Sequence, residues 1–478
     1  MTTLIIFVIL YLSASIWAVI SVLLYGDRPA RSIAWLFVVL FLPFLGVLFY
    51  VLFGINRKRF KFFSLNYIAK RKLYDLNHNS DTIDDFKHKF EAHKYSKIGK
   101  LLKKSSGFPA VDCNEVSVLK SGEETFEKLF SEIKKAKSFI HLEYYILKQG
   151  KVLSDLCDIL LSKLEDGVEV RILYDAFGSY NWKTKKVRQL ISRGAKVYAV
   201  LPIKLNTILS TVNYRNHRKL VVIDGVVAFT GGVNVADEYI DKSESPFGIW
   251  DDMHLYLKGS VVDHLHRVFI KDFYFASGGT LLSNNSKYLP EQKVKGGSLM
   301  QIVSGGPDLD HLSVLHQYVM MIHSATESVF IENPYFIPNK MLLEALKMAS
   351  LRGVEVSILV PKHSDSRVAK YCMYSNFEDL LKVNINICLL DNVFSHSKLI
   401  IVDKAIASIG SGNFDYRSFE HNYELNTLIY DNKIAKDLAS GFLSKKEKAT
   451  VLKYNTYKDR SLKEKLLQGL AKIFSPLL

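Results

Sequence analysis

Two stretches of the chain repeat one set of side chains that can do chemistry. Each copy follows the pattern H-x-K-x4-D-x6-G-[GS]-x-N, and its members are His217, Lys219, Asp224, Gly232 and Asn234, and again His396, Lys398, Asp403, Ser411 and Asn413. A neutral imidazole beside an ammonium, offered twice, suits an anionic substrate. One His can attack or accept a proton while the other donates one. The two Lys can hold phosphate oxygens as charge moves in the transition state.

The residues that follow each His-Lys pair predict a buried strand. They are apolar and mostly β-branched, Leu-Val-Val-Ile in the first copy and Leu-Ile-Ile-Val in the second, as in strands covered on both faces. Residues two apart on a strand point to the same side, so His217 and Lys219 share one face. Asp224 and Asp403 count among the candidate catalytic residues of the motif. Their place five residues beyond each Lys, at the far end of the strand, favours a structural role.

The first 54 residues predict two transmembrane helices joined by a short turn on the outside. Residues 3–25 and 32–54 are each 23 residues long and without a charge, and a polar turn, GDRPAR, separates them. Each run is long enough to cross about 30 Å of hydrocarbon. A cleaved signal peptide fits poorly, because no basic segment precedes the first run and a second run follows at once.

Flanking charge predicts the orientation of these helices. Residues 55–104 carry 14 Lys and Arg against 5 Asp and Glu, which is more than half of the net charge of +15. The positive-inside rule places this segment and everything after it in the cytoplasm, with the N-terminus on the same side. The basic juxtamembrane linker, 55–108, is either a solvated flank or a segment that lies on anionic lipid.

The rest of the chain predicts an α/β protein made of two similar lobes, 109–290 and 291–478. Helical stripes alternate with apolar strands, and the order of elements in the first lobe returns in the second; a strand entry Gly-Val-Glu-Val, for example, begins at Gly167 and again at Gly353. This alternation predicts a mostly buried mixed sheet flanked by helices in each lobe. A pseudo-twofold axis would bring the two motifs together at the interface of the lobes.

The last 22 residues predict an amphipathic helix. Leu462, Leu466, Leu470 and Ile473 line one face of it, among several Lys. The pattern favours a helix that packs this face on the second lobe. A helix that lies on a membrane surface is the alternative.

The paired motifs resemble those of the phospholipase D superfamily, over about residues 109–478. The two apolar runs, the GDRPARS turn, the NHRK and GSGNFDYRS contexts and the terminal SPLL resemble the bacterial cardiolipin synthases within it. The resemblance implies a two-step phosphoryl transfer through a phosphohistidine. It implies His217 as nucleophile and His396 as general acid and base; the two motifs are nearly identical, so the reverse assignment stays open.

The resemblance also implies roles for the polar residues around the two His. The phosphate oxygens would be held by Lys219, Lys398, Asn234 and Asn413, with Ser411 as a further candidate. A nucleophilic imidazole needs an acceptor for its other nitrogen, and in this family an acid a few tens of residues past the His serves. That spacing points to Glu424 after His396, and to Asp252 or its neighbour Asp251 after His217.

Neither a metal nor a cofactor is expected. The four Cys are scattered without the spacing of a disulfide framework or a zinc site. No HExxH pattern and no Walker loop is present. Glu143 and Glu332 lie in predicted strands near the presumed cleft, where a structural role is favoured, and His254 is expected to be a packed or hydrogen-bonded residue.

Together with the two apolar runs and the flanking charge, the resemblance implies a cardiolipin synthase in the plasma membrane of a bacterium, multi-pass, with its lobes in the cytoplasm. It would join two phosphatidylglycerol molecules into cardiolipin and release glycerol, with phosphatidylglycerol and anionic membrane lipid as its partners. A membrane-bound phospholipase D hydrolase, or a phosphatidyltransferase with another acceptor, is the nearest alternative. A membrane-tethered nuclease is disfavoured and no nucleic acid is expected, because the basic charge concentrates beside the membrane rather than around the motifs. The sequence indicates no oligomeric state.

Overall fold

The computed structural model describes residues 1–26, 29–42, 44–54, 94–202, 213–241, 248–280, 282, 287–294 and 296–478. Two compact units make up the chain. The N-terminal unit comprises residues 1–64 and 201–215, and the larger unit comprises residues 65–200 and 216–478. Most of the basic linker, residues 55–93, lies outside the described residues.

One long apolar helix dominates the N-terminal unit. It spans Thr2–Tyr25 (α1), is followed by Pro29–Phe41 (α2), Leu45–Phe49 (α3) and a π-helical turn at Tyr50–Gly54. Residues 5–25 of α1 have a mean hydropathy of 2.5. Among the described residues, α1 is the one helix that is long and apolar enough to cross a membrane. The second apolar run is thus divided into short helices, where the sequence predicts a single spanning helix.

The chain reverses direction between α2 and α3. Phe44 has a positive φ of 62°, and its ring lies 5.0 Å from that of Phe7 and 4.4 Å from that of Tyr11, near the start of α1. Six residues later, the Tyr50 hydroxyl donates to Ser21 Oγ at 2.8 Å, near the end of α1. The segment after Phe44 therefore runs back alongside α2 instead of continuing in its direction.

A glycine makes this reversal possible. Gly46 lies so close to α2 that a Cβ there would come within 2.1 Å of the Val38 carbonyl oxygen. Tyr50 also packs edge-on against Trp35, with ring centroids 5.7 Å apart. Hydropathy alone does not reveal such a turn, because α2 and the segment that follows it are both apolar.

The described residues of the larger unit, together with Arg215, form eighteen strands. They are β1 Ala110–Leu119, β2 Phe139–Tyr144, β3 Glu169–Asp175, β4 Lys196–Val200, β5 Arg215–Asn216, β6 Lys219–Ile223, β7 Val227–Gly231, β8 Ile249–Asp251, β9 His254–Gly259, β10 Ser298–Gly305, β11 Ser328–Glu332, β12 Glu355–Pro361, β13 Asn386–Leu390, β14 Val393–Ser395, β15 Leu399–Val402, β16 Ile406–Gly410, β17 Asn422–Tyr430 and β18 Thr450–Val451.

Helices cover this sheet on its faces. They are α4 Ser96–Ser106, α5 Gly122–Lys134, α6 Lys151–Glu165, α7 Lys185–Ser192, α8 Ser260–Ala276, α9 Ser313–Ser324, α10 Lys340–Leu351, α11 Arg367–Tyr374, α12 Phe377–Leu381, α13 Tyr416–Glu420, α14 Asn432–Glu447, α15 Tyr454–Lys458 and α16 Leu462–Ile473. Side-chain caps mark several of their starts. Asp431, for example, accepts from the backbone amides of Lys433 and Ile434 at the start of α14.

The sheet is mixed and carries the repeat that the sequence predicts. Its order is β18-β13-β12-β11-β15-β16-β17-β10-β1-β9-β7-β6-β2-β3-β4. Reading outward from the central β10–β1 pair, the order β17-β16-β15-β11-β12-β13 on one side matches β9-β7-β6-β2-β3-β4 on the other. The two halves are therefore joined edge to edge in one large sheet, whereas a separate sheet was expected in each lobe.

Each half has its own apolar core. In the first half it includes Leu129, Leu156 and Val221, and in the second half Leu315, Ile358 and Ile400. The helix α4 belongs to the second of these cores through Ile98 and Leu102. Residues 96–106, which the sequence assigns to the linker, are thus part of the folded unit.

Candidate active site

His217 lies on the first half of the sheet and is held by an acid from the second half. It lies between β5 and β6, and its backbone amide donates to the Tyr423 carbonyl at 2.9 Å. Its Nδ1 lies 3.0 Å from both carboxylate oxygens of Glu424. All three residues are buried. With Nδ1 engaged, Nε2 is the nitrogen left to face a substrate.

His396 repeats this arrangement with the halves exchanged. The short strands β8 and β14 pair in parallel, and the His396 amide donates to the Asp251 carbonyl at 2.6 Å. This pairing sets Nδ1 of His396 2.7 Å from Oδ2 of Asp252. Each His is therefore positioned by a carboxylate that the opposite half supplies.

The pairing of acids and imidazoles corrects the expectation from sequence. Spacing suggested Glu424 for His396 and Asp252 for His217, each within its own half. The pseudo-twofold arrangement brings the start of β17 to His217 and the end of β8 to His396, so the partners are exchanged. Separation along the chain, 207 residues for one pair and 144 for the other, gives no hint of this.

The two Lys are buried next to the imidazoles. Lys219 Nζ donates to the His217 carbonyl at 2.8 Å. Lys398 Nζ lies 2.8 Å from Nδ1 of His396 and also donates to the His396 carbonyl. Burial, reinforced by the charge of Lys398, lowers the pKa of Lys219 to about 7. Burial also lowers the pKa of Lys398, against the pull of Asp252.

The electrostatics of the two His–acid pairs differ. Burial lowers the pKa of His217 while Glu424 opposes that shift. Burial acts to raise the pKa of Glu424, but His217 and Lys219 outweigh it and the pKa is lowered. At the second pair, burial raises the pKa of Asp252 and, together with Lys398, lowers that of His396 well below its usual range. Glu424 is the more firmly ionised of the two acids.

Ser411 binds the acid Glu424, and its counterpart Gly232 leaves room for the acid Asp252. Neither position is directed at a free anion site. Ser411 Oγ donates to Glu424 Oε2 at 2.5 Å and accepts from the Leu425 amide at 2.9 Å. A Cβ on Gly232 would come within 2.0 Å of the Asp252 carboxylate. The first motif thus has glycine at this position because the carboxylate occupies the space of a side chain.

The two motif Asn residues have different surroundings. Asn234 donates through Nδ2 to the Tyr239 hydroxyl at 3.0 Å and accepts from the Ile146 amide at 3.3 Å. Tyr239 in turn lies 3.4 Å from Nδ1 of His396. Asn413 has a buried Oδ1 with no hydrogen-bond partner in the described part of the chain, which leaves that group available to a ligand.

Asp224 and Asp403, which the sequence lists with the catalytic residues, bind backbone instead. Asp224 accepts from the amides of residues 137, 138 and 139 at 2.8–2.9 Å, at the start of β2. Asp403 accepts from the amides of residues 326, 327 and 328 at the start of β11. Both sit in left-handed backbone just past the motif strand. Their role is to fasten two neighbouring strands at the end away from the His.

A second pair of acids supports the residue before each His. Glu143 accepts from Asn216 Nδ2 at 2.6 Å. Glu332 accepts from the hydroxyl of Ser395 and from Lys445 Nζ, the latter at 2.7 Å. These strand acids therefore position the segments that carry the imidazoles, as the sequence favoured. Lys445 also binds Asp251 at 2.5 Å, so Asp251 faces a cation rather than a His.

Arg218 links the two halves beside the site. It is buried and forms an ion pair with Asp272 of the first half. Its Nη2 donates to Ser304 Oγ at 2.8 Å and to the Gly305 carbonyl at 3.0 Å, both in the second half. The second motif has a serine in the same place, Ser397, so this clamp is present once.

Aromatic residues that sequence reasoning missed surround both imidazoles. The Tyr145 ring lies 4.8 Å from that of His217, and Trp250 and Tyr335 lie 5.4 Å and 6.3 Å from His396. Tyr145 and Tyr335 follow the strand acids Glu143 and Glu332 within three residues, a signal the sequence carries. His254, by contrast, is fully buried with neither ring nitrogen bonded among the described residues, and burial lowers its pKa to about 3.

No group of three or more His, Cys, Asp or Glu side chains is arranged to hold a metal ion within the described ranges. What the site offers a ligand is cationic and imidazole chemistry. Two buried ammonium groups lie beside two imidazoles whose Nδ1 atoms are bound to carboxylates. Such a set can form and break a bond to phosphorus while holding its oxygens.

The duplicated fold and the paired His-Lys strands define a phospholipase D-like protein. A solved phosphatidylserine synthase from Haemophilus influenzae Rd KW20 has the same fold, with a TM-score of 0.61 and 16% identity over 81% of this chain and all of that one. The family model described as "Cardiolipin synthase, PLD-like domain" matches residues 129–272 and 318–445, and one described as "Phospholipase D-nuclease N-terminal" matches residues 13–54.

Curated relatives narrow this class. A cardiolipin synthase of Geobacillus sp. strain WCH70 is 37% identical over 95% of this chain and 90% of its own length. A cardiolipin synthase 2 of Staphylococcus epidermidis is 36% identical over 94% of this chain and 93% of its own. The chain belongs to the cardiolipin synthase family.

Proposed function

We propose that this enzyme transfers a phosphatidyl group from one phosphatidylglycerol to the terminal hydroxyl of another, giving cardiolipin and glycerol. The observation that carries the proposal is the exchanged pairing of two imidazoles with two buried carboxylates around two buried Lys. Phospholipid chemistry is supported by the family and by the apolar helix at residues 5–25.

In the first step, Nε2 of His217 attacks the phosphorus of the donor lipid. The bond from phosphorus to the glycerol headgroup breaks, and the leaving oxygen takes a proton from Nε2 of His396. In this step His396 starts as the imidazolium, because the anionic phosphate of the bound lipid raises the pKa that burial lowers in the free enzyme. Glu424 holds the proton on Nδ1 of His217 and offsets the positive charge of the phosphorylated ring. Lys219 and Lys398 balance the charge on the phosphate oxygens, and Asn413 Oδ1 is free to accept from a substrate hydroxyl.

In the second step, His396 acts as a base. It removes the proton from the glycerol hydroxyl of the second phosphatidylglycerol, whose oxygen attacks the phosphorus. The phosphorus–nitrogen bond to His217 then breaks, and both imidazoles return to their starting states. We assign attack to His217 because the more firmly ionised acid, Glu424, lies on that side.

The reversal of the chain between α2 and α3 supports a membrane arrangement with a single crossing. We propose that α1 crosses the bilayer once with the N-terminus outside, and that α2 and α3 dip into the membrane and return to the side they left. The larger unit then lies in the cytoplasm. In this arrangement Arg28 and Arg31 share the cytoplasmic side with the basic segment after residue 54, which fits the positive-inside rule better than an outside turn.

Product analysis tests the function. The purified full chain in detergent is incubated with isotopically labelled phosphatidylglycerol, and the lipids are analysed by mass spectrometry. We expect cardiolipin and free glycerol in equal amounts. Phosphatidic acid as the sole lipid product would overturn the transferase and leave a hydrolase. The acyl chains of added phosphatidylethanolamine should not appear in cardiolipin; their appearance there, with release of ethanolamine, would make phosphatidylethanolamine the donor.

A further inference from the structure

The C-terminal helix α16 presents its apolar face to the outside of the fold. The exposed fractions of Leu462, Leu466, Leu470 and Ile473 are 73%, 59%, 59% and 71%. These residues recur every three or four positions and so form one stripe along the helix. The sequence favoured packing of this stripe on the second half, and the structure has it the other way round.

The opposite side of the helix fastens it to the fold. Gln468 and Ala471 are buried, and Gln468 Oε1 accepts from Arg460 Nε at 2.8 Å. Arg460 also pairs with Glu378 at 2.7 Å. A Ser461–Glu464 capping box starts the helix. The helix is thus anchored by the side opposite the stripe, where Gln468 is hydrogen-bonded and Ala471 packs in the apolar core. The stripe therefore belongs to a helix that is part of the folded unit.

Exposed cations flank the stripe on both sides. Lys463 follows its first residue, and Lys465 and Lys472 lie on the other edge when about 100° is allowed for each residue; all three are exposed. Residues 453–478 carry six Lys and Arg against two Asp and Glu. An apolar ridge edged with Lys is complementary to a bilayer surface with anionic headgroups.

The end of the chain connects this helix to the catalytic cleft. The Leu478 carbonyl accepts from the Arg417 amide at 3.0 Å, at the start of the short helix α13. The next residue of α13, Ser418, accepts through Oγ from the Asn413 amide at 3.0 Å. A surface that binds α16 therefore lies close to the second motif, to which it is connected through Leu478 and α13.

We propose that α16 lies in the headgroup region of an anionic phospholipid bilayer, with the stripe Leu462, Leu466, Leu470 and Ile473 among the acyl chains. It is a second membrane attachment, made by the catalytic unit itself and independent of α1. Its position beside α13 orients the second motif toward lipid. The occupant is the bilayer surface, because the chain is a membrane enzyme and the stripe is bordered by Lys.

Site-specific fluorescence in vesicles tests this. The full chain carries His217→Ala to keep the lipid composition fixed and Cys113→Ser to remove the one exposed cysteine. A polarity-sensitive label is attached to Leu466→Cys and the protein is reconstituted in phosphatidylglycerol vesicles that contain brominated phosphatidylcholine. We expect a blue-shifted emission that the bromine quenches. The same label on Ile191→Cys, an exposed apolar residue on α7 among basic neighbours, should stay in water.

Two results would overturn the proposal. One is an unshifted label at position 466 in these vesicles. The other is a shift without quenching by bromine, which would mean that a second copy or another protein covers the stripe. As an independent measure, Leu466→Ser with Leu470→Ser should lower turnover several-fold on vesicles and leave it unchanged in mixed micelles. Equal turnover in vesicles would argue against an orienting role.

Discussion

At the scale of single residues, the two imidazoles are alike in sequence and unlike in surroundings. His217 contacts both oxygens of one carboxylate, whereas His396 shares Nδ1 with Asp252, Lys398 and Tyr239. A carboxylate that stays ionised can stabilise a phosphorylated imidazole more strongly than one whose pKa is raised by burial. The local environment thus breaks a symmetry that the motifs keep.

The first prediction concerns which His is phosphorylated. His217→Ala should abolish the covalent phospho-enzyme, because no Nε2 remains in the attacking position. Glu424→Gln should slow its formation by about 10- to 1,000-fold, since the neutral amide cannot offset the charge on the ring. Acid-labile label trapped from radioactive donor lipid measures both effects.

His396→Ala is the matched variant. It should still form the adduct from a donor with a good leaving group, such as a nitrophenyl ester, but fail to turn it over with a lipid alcohol. Loss of the adduct in His396→Ala together with its retention in His217→Ala would reverse the two roles.

The second prediction concerns the charge of Lys219. Its pKa is lowered to about 7, so the free enzyme loses this cation as the pH rises through about 7. The kcat/KM reports on the free enzyme and should therefore fall on that side. On the acid side it should fall only at a pH lower than the ordinary pKa of His, about 6.5, because burial lowers the pKa of His217. Initial rates from pH 5 to 9 measure both limbs.

Lys219→Arg serves as the control, because its guanidinium stays charged throughout this range. The alkaline limb should disappear or move up, at a lower overall rate. An unchanged alkaline limb would assign it to another group.

Residue types and spacing in the sequence were enough to find both His-Lys pairs and both positioning acids. They were not enough to pair them, because Glu424 and Asp252 reach the opposite half through the pseudo-twofold contact. Gly232 shows the same limit. Its meaning, room for the Asp252 carboxylate, depends on a neighbour twenty residues away whose direction only the folded sheet defines.

At the scale of elements, short strands are held at both ends by acids, buried at one end and partly exposed at the other. Glu143 and Glu332 bind the His end, and Asp224 and Asp403 bind the far end. Strand positions were predictable because apolar β-branched runs mark them. The reversal after α2 and the outward stripe of α16 were not, because an apolar pattern indicates which residues avoid water and not whether protein or lipid covers them.

The third prediction concerns Asp403. Asp403→Ala should leave three amides at the start of β11 without their acceptor and lower the free energy of unfolding by about 2 kcal/mol. Backbone hydrogen bonds and Lys94 outweigh burial and lower the pKa of Asp403. Its stabilisation is therefore present above about pH 4 and is lost as the pH falls. Thermal unfolding of the detergent-solubilised protein between pH 3 and 7 measures it.

Asp403→Asn tests the charge alone. It should remove the acid-side slope while keeping kcat close to that of the unmodified enzyme at permissive temperature. A large loss of kcat in stable Asp403→Asn protein would return this residue to the catalytic group.

At the scale of the whole molecule, one sheet runs through both halves. Its centre is the antiparallel pair of β1 and β10, and Arg218 ties the halves together beside the cleft. The element order that repeats in the sequence predicted two lobes, but edge strands carry no mark of the partner they will meet. The joining of the halves was therefore beyond what the sequence could indicate.

The fourth prediction concerns membrane topology. If α1 crosses once and the second run returns, Thr2→Cys should react with an impermeant maleimide in intact cells and Pro29→Cys should react only after permeabilisation. Two complete crossings predict the opposite pattern. Gel-shift of the maleimide-labelled full chain distinguishes them, with Cys113→Ser as background.

The exchange of acids between the two halves has a consequence for the order in which the enzyme folds and becomes active. During synthesis the first half emerges with His217, but its partner Glu424 is 207 residues later. Until the second half has folded against it, that imidazole has no carboxylate to hold its tautomer. On the proposed mechanism, a chain that lacks the second half has no carboxylate to activate His217 and should not cleave lipid. The exchange of acids would thus delay activity until both halves have folded together.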